Sequence, residues 1–206
     1  MKIFETADIR NIVLAGHSGC GKTTLAEAML FAAGAISRQG KVTDGTATLD
    51  FTPEEQKKKT GVSLALAQFE FADKKFNLID CPGYADFFGE VHAGIAAGDL
   101  GVVVVSATAG VEPDTERVFE LMAAEQMPRL IVLNGMDKEQ ADFNKDLASI
   151  RERLSDRSAV VCLPIGAGPD FKGIVDVLHG KAYHFEGKDA VESPIPAELA
   201  GAVEDA

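Results

Sequence analysis

The chain has 206 residues, 46% hydrophobic and 25% charged, with a formal net charge of −12; that is enough for one globular domain with a real core plus a small appendage. The acidic balance argues against a free-standing nucleic-acid binder, while docking onto a nucleoprotein through a local patch stays open. Three unevenly spaced cysteines, Cys20, Cys81 and Cys162, exclude a disulfide framework or zinc spacing and point to a reducing cytoplasm, and neither a signal-peptide core nor a membrane-length apolar run is present.

Ile9 to Ala15 reads as a short apolar strand and Leu25 to Ala33 as a helix rich in Ala and Leu. Between them Gly16-His17-Ser18-Gly19-Cys20-Gly21-Lys22-Thr23 fits G-x-x-x-x-G-K-[ST], the phosphate-binding loop, in the strand–loop–helix setting that the motif requires. Gly19 and Gly21 let the backbone curl, so that its N–H groups form an anion nest at a helix N-terminus. Lys22 is placed to reach the β- and γ-phosphates and the Thr23 hydroxyl to ligate Mg²⁺, with Thr24 completing the binding loop.

Ser37 to Gly61 reads as a long polar loop with one helical patch, Pro53 to Lys59; loops this long inside a compact domain are functional or disordered. Its Lys57-Lys58-Lys59 run suits a solvated helix face or a contact to a polyanion. Val62 to Phe71 and Phe76 to Ile79 flank Asp73-Lys74-Lys75 as an antiparallel hairpin. A helix over Ala85 to Ala97, a buried strand over Leu100 to Val105, a helix over Thr115 to Glu125, a strand over Arg129 to Leu133, a helix over Phe143 to Leu154 and a strand over Ser158 to Leu163 follow. This alternation predicts an α/β fold: a mostly parallel, doubly wound sheet with one antiparallel hairpin strand, nucleotide lying at the strand C-termini. From Pro164 the pattern changes to short strands over Phe171 to Phe185, then an acidic stretch with two prolines. The expected division is therefore 1–163 as a nucleotide-binding domain and 164–206 as the incomplete start of a second element.

Two more signatures sit at strand ends. Asp80-Cys81-Pro82-Gly83 follows Leu78-Ile79; in P-loop proteins an acid there supports Mg²⁺, and the glycine N–H can approach a γ-phosphate. Asp-x-Pro-Gly is also a good generic turn. Asn134-Gly135-Met136-Asp137 closes the strand over Arg129 to Leu133, where GTP-binding proteins carry N-K-x-D. An aspartate there accepts two hydrogen bonds from guanine N1–H and N2–H₂, a donor pair that adenine lacks. Asn134 and Asp137 are present, and Gly135 replaces the lysine.

Together these residues resemble the GTP-binding domain of the translational GTPases, specifically elongation factor G and its divergent elongation factor G-like group. Gly40 to Asp50 resembles the start of that family's switch I, and Thr60-Gly61-Val62-Ser63 stands where it has R-G-I-T. Val111-Glu112-Pro113 follows the fourth strand as in the family. Leu163 to Ala167 and Phe171 to Asp176 resemble the opening of its insertion subdomain, and Asp80 to Tyr84 and His179 to Tyr183 match D-x-P-G-Y and H-G-K-A-Y of the elongation factor G-like proteins. The resemblance implies GTP/GDP and Mg²⁺ as ligands, with Lys22 and Thr23 on phosphate and metal and Ser63 closing on Mg²⁺ and the γ-phosphate. Asp80 supports the metal without ligating it directly, Gly83 senses the γ-phosphate, and Asn134 and Asp137 read guanine. It also implies a ribosome partner, a monomer in the cytoplasm, and no DNA or membrane partner.

The departures from the family pattern are specific. Tyr84 stands where the family has the histidine that positions the attacking water, and a phenol with a pKa of about 10 is a poor stand-in for an imidazole near 6.5. Catalysis would then rest on Lys22 and Gly83, with hydrolysis slowed and not abolished; His17 and His92 are the other imidazoles to weigh. Gly19 replaces an aspartate, and Gly135 removes a lysine stem that packs on the base. The family's guanine-O6 loop and later domains lie beyond residue 206, so the chain reads as a fragment or truncated gene product. Three functions follow: a slow or ribosome-stimulated GTPase, a GTP-binding switch with little hydrolysis, and a less selective nucleotide binder. Cys20, near a helix N-terminus, is either a reactive thiolate or a small space-filler.

Overall fold

The computed structural model describes residues 2–187, 189–204 and 206. The chain packs into two compact units. The first comprises the chain through Ser106 together with Val111–Asn134, and the second comprises Ala107–Gly110 with the chain from Gly135 onward.

The first unit is built on a five-stranded sheet. Its strands are β1 (Ile9–Ala15), β2 (Ala65–Phe71), β3 (Lys74–Asp80), β4 (Leu100–Ser106) and β5 (Arg129–Asn134), in the order β2-β3-β1-β4-β5. Only β2 is antiparallel, paired with β3 from Ala65 opposite Asp80 to Phe71 opposite Lys74. The hairpin turns on Ala72 and Asp73, both at positive φ (47° and 59°), the backbone of a two-residue turn that matches strand twist. The parallel strands are apolar on both faces because helices cover both. Leu14, Leu78, Val102 and Val104 share a cluster with Ala26 and Leu30 of α1 (Lys22–Ala32). Their alternates Val13, Val103 and Val105 face the other way, the side on which α3 (Phe88–Ala97) packs against β1 and α4 (Pro113–Ala124) against β4. A short helix, α2 (Pro53–Lys58), lies in the long connection from α1 to β2 and opens with a capping box between Thr52 and Glu55.

The second unit contains α5 (Phe143–Arg153) and an antiparallel sheet ordered β6-β7-β8-β9, formed by Cys162–Ile165, Gly173–Asp176, Lys181–Glu186 and Asp189–Ser193, followed by α6 (Ala200–Glu204). Leu163, Ile165, Val175 and Ala182 form its core, with Phe143, Ile195 and Leu199 against it. The strand expected over Ser158 to Leu163 as a further member of the parallel sheet begins later, at Cys162, and pairs antiparallel with β7. An apolar run specifies a strand but not its partner, and the short turn to β7 supplies the nearest one. Among the described residues no helix is long and apolar enough to cross a membrane.

Asp146 of α5 is buried at 3% exposure, with Oδ2 lacking a hydrogen-bond partner. Burial raises its carboxyl above the ordinary value of 3.8, helped by Asp142 and opposed by Lys145. A raised carboxyl binds its proton more tightly folded than unfolded, so its contribution to stability falls as pH rises from about 4 through the folded value. Asp146→Asn lacks that slope; in urea unfolding followed by circular dichroism, its midpoint should gain on the wild type between about pH 4 and pH 7, and parallel midpoints would contradict the assignment.

Candidate functional site

The strand-to-helix junction after β1 sets the geometry. Gly21 caps α1 at φ 94°, a left-handed backbone, and a Cβ there would lie 2.2 Å from Asn134 Nδ2. Asn134, at the end of β5, uses that amide to donate a hydrogen bond to Cys20 O at 2.9 Å, bracing the loop. Lys22 is 6% exposed, and its ammonium donates to Gly16 O at 3.0 Å and His17 O at 2.8 Å. The loop therefore spends two carbonyls on holding its own lysine. Ser18, Gly19, Gly21, Lys22, Thr23 and Thr24 line that pocket on one side.

Asp80 and Gly83 close it from the end of β3. The Thr23 hydroxyl donates to Asp80 Oδ2 at 2.7 Å. Asp80 is 5% exposed and Oδ1 has no partner; burial pushes its carboxyl up to about 6 against the pull of Thr23 and Lys22. Gly83 passes so close to the loop that a Cβ on it would lie 2.4 Å from Lys22 Nζ and 2.8 Å from Ser18 N. The third wall is the connection from α1 to β2, including Val42, Leu49, Asp50, Thr60, Gly61 and Ser63. Asp50 was not singled out by sequence reasoning, yet it is 3% exposed with Oδ2 unpartnered. Burial raises its carboxyl, aided by Glu55 and Glu27 and opposed by Lys22.

The remaining candidates sit elsewhere. Tyr84 follows Gly83 but does not line the pocket; it is 48% exposed and leads into a 3-10 turn, Ala85–Phe87. His17 turns toward the start of α4, with Nδ1 2.9 Å from Asp114 Oδ2 and Nε2 3.4 Å from Glu112 Oε1. His92 stacks edge-on against Phe88 within α3. Neither imidazole lines the pocket. Cys20 belongs to the core cluster with Leu14 and Leu30, and burial raises its thiol above the ordinary value although Lys22 Nζ lies 3.8 Å away, so it acts as a space-filler.

Asp137 lies in the second unit, exposed, in a turn closed by Lys138 N–H donating to Gly135 O at 3.1 Å. Gly135 has φ 83°, and the stem of Lys138 crosses its bare face: a Cβ at 135 would lie 3.3 Å from Lys138 Cε and 3.4 Å from Cδ. Gly168 N–H donates to Met136 O at 2.8 Å and holds this turn from the β6–β7 connection.

A parallel sheet with one antiparallel edge strand, a phosphate loop running into its first helix and an aspartate at the end of the third strand define a P-loop GTPase fold. The family model for the elongation factor Tu GTP binding domain matches residues 7–199. Elongation factor G of Mycoplasma genitalium is 36% identical over 203 residues, 97% of this chain and 30% of that protein; that of Mycoplasma pneumoniae is 36% identical over 198 residues, 95% and 29%. A crystal structure from Thermus thermophilus superposes with a TM-score of 0.91 at 38% identity, covering 97% of this chain and 30% of that one. The chain belongs to the elongation factor Tu GTP-binding domain family, and it is similar to elongation factor G along nearly its whole length. It spans about 30% of the length of the curated relatives it matches.

Gly83→Ala should push the Asp80–Gly83 turn off Lys22 and Ser18. About tenfold weaker binding of inorganic tripolyphosphate, by isothermal titration, is the outcome expected from overpacking of about 1–3 kcal/mol; unchanged affinity would place the anion away from this turn.

Proposed function

We propose that this chain is the guanine-nucleotide-binding domain of a translational GTPase, taking GTP with Mg²⁺ and hydrolysing it slowly or on stimulation by the ribosome. The observation that carries the reading is the pocket of the first unit in which Lys22, Thr23, Ser63, Asp80 and Gly83 converge. Lys22 and the loop amides bind the β- and γ-phosphates, and the Gly83 N–H meets the γ-phosphate.

The residues fit Mg²⁺. The donor set is hard oxygen, from the Thr23 and Ser63 hydroxyls, and two buried carboxylate oxygens, Asp80 Oδ1 and Asp50 Oδ2, lack partners. Thr23 and Ser63 would hold the ion, with Asp80 and Asp50 behind them accepting from its water. When bound, Mg²⁺ neutralises charge that develops on the phosphate oxygens. In hydrolysis, water attacks the γ-phosphorus, the bond to the bridging oxygen breaks, and GDP leaves with the electron pair.

Guanine selectivity rests on Asp137, with the Lys138 stem as an apolar cover for one face of the base. GTP and GDP should bind at least about a hundredfold more tightly than ATP, since a carboxylate covered by a base that lacks the donor pair costs several kcal/mol, and Lys138→Ala should weaken both guanine nucleotides about fivefold through lost packing. Equal affinities for GTP and ATP would favour a non-selective binder.

Tyr84 supports slow turnover, because its half-exposed ring stands outside the pocket. Tyr84→His should raise single-turnover GTP hydrolysis by about 10²-fold if this residue is the limiting departure, measured with and without ribosomes and with nucleotide affinity as the control. An unchanged rate would move the limit elsewhere and favour a switch that binds GTP without hydrolysing it.

A further inference from the structure

Two glutamates that play no part in this chemistry are almost wholly buried. Glu27, on α1 five residues beyond Lys22, is 0% exposed, and Glu55, on α2, is 1% exposed. Removing a carboxylate from water costs several kcal/mol unless hydrogen bonds replace its hydration, and an apolar residue of similar volume would fill the space without that cost. Each carboxylate spends its oxygens on backbone. Glu27 Oε2 accepts from Gly40 N–H at 2.8 Å, and Oε1 accepts from Thr48 N–H. Glu55 Oε1 accepts from Val62 N–H at 3.0 Å and Ser63 N–H at 3.2 Å, and Oε2 from Thr52 N–H and Oγ1. Burial works to raise the Glu55 carboxyl, but these bonds outweigh it and hold the group below its ordinary value.

The bonds grip both ends of one segment. Between Thr48 and Val62 the chain places Leu49, Asp50, Thr60 and Gly61 in the pocket wall, and Ser63 follows directly. Few apolar side chains anchor this segment; Leu49 is the large buried one, and Phe51 is 64% exposed. Glu55 rides on the segment itself and ties its helix to its far end. Glu27 instead belongs to α1, whose first turn carries Lys22 and Thr23, so it fixes the segment relative to the phosphate loop. The turn it grips is tight: a Cβ on Gly40 would lie 2.2 Å from Thr46 O and 2.7 Å from Ala47 Cα.

We propose that Glu27 is a positioning residue whose carboxylate, by holding the Gly40 and Thr48 amides, sets the pocket wall of Asp50 to Ser63 over the γ-phosphate position. This rests on the triphosphate reading above. The wall and the phosphate loop line one pocket, and on that reading Ser63 at the end of the wall serves the γ-phosphate and its metal, so loss of the grip weakens triphosphate and spares diphosphate.

The test compares the wild-type 206-residue chain with Glu27→Gln, whose amide cannot accept from both N–H groups. A second variant, Gly40→Ala, opens the same turn without touching α1. Limited trypsin digestion without nucleotide, read by mass spectrometry, reports the segment through Arg38, Lys41 and Lys57 to Lys59, with Arg151 and Arg153 in α5 as internal controls. Both variants should be cut about fivefold faster at the segment and equally at the controls. Their GTP-to-GDP affinity ratio should fall about tenfold, as for a lost hydrogen bond to a charged group, with GDP affinity unchanged. Wild-type cleavage and an unchanged ratio in both variants would overturn the proposal, as would equal loss of GTP and GDP. Should Glu27→Gln fail to fold, Gly40→Ala decides by the same two readouts. Should the wild type bind neither nucleotide, the triphosphate reading falls, while the cleavage comparison still decides whether Glu27 holds the segment.

Discussion

The pocket of the first unit is governed by an imbalance of buried charge. One ammonium, Lys22, acts on the carboxylates of Asp80 and Asp50, which Glu55 also influences, and all are nearly inaccessible to water. Glu55 is satisfied by backbone and hydroxyl donors, and Asp80 is satisfied on one oxygen by Thr23. Asp80 Oδ1 and Asp50 Oδ2 are not satisfied, and both carboxyls are pushed up accordingly. Such an arrangement is costly in an empty protein. It becomes favourable when a hard cation brings its hydration shell to the free oxygens, and phosphate on the loop amides would make that cation more necessary still. The proposed magnesium and triphosphate are therefore coupled ligands of one electrostatic arrangement.

Backbone conformation makes the arrangement possible. Lys22 is buried only because Gly16 and His17 turn their carbonyls toward it, and the Asp80–Gly83 turn can lie over it only because residue 83 has no side chain. Asn134 adds a brace from β5 to the loop's own carbonyl at Cys20. The parallel pairing of β1 with β3 and β4 then matters for function as well as for packing. With the β4–β5 pairing it brings the C-terminal ends of β1, β3 and β5, each carrying one part of the pocket or its support, to the same end of the sheet.

Most of this was legible in the sequence where local chemistry is self-contained. The phosphate loop is a contiguous motif, β4 is dominated by an unbroken run of valines, and the Asp80 turn follows an apolar strand. The strand at Cys162 was legible as a strand and misassigned as to partner, since antiparallel pairing with β7 depends on the length of the connection between them and not on any residue of β6. Asp50, Glu27 and Glu55 were invisible to motif reading because their roles are set by what closes over them. Two signals did exist. Thr52 and Glu55 have capping-box spacing, and Glu27 shares the buried face of α1 with Ala26 and Leu30, an acid where packing alone would place none. At Gly135 the sequence shows a lysine replaced by glycine, and the structure adds that the Lys138 stem lies against its bare backbone.

The departures from the family pattern fall into two physical kinds. Gly19 and Gly135 each replace a family side chain by bare backbone. Both sit at positive φ, 79° and 83°, where glycine costs least. The turn bearing Asp137 is closed by a hydrogen bond from Lys138 N–H to Gly135 O. Tyr84 is of the other kind. Water activation needs one group at one place, and among the described residues neither His17 nor His92 lines the pocket. In the proposed function, binding is distributed over many amides, while water positioning is concentrated in one side chain. This asymmetry is why the proposed function separates firm binding from slow turnover.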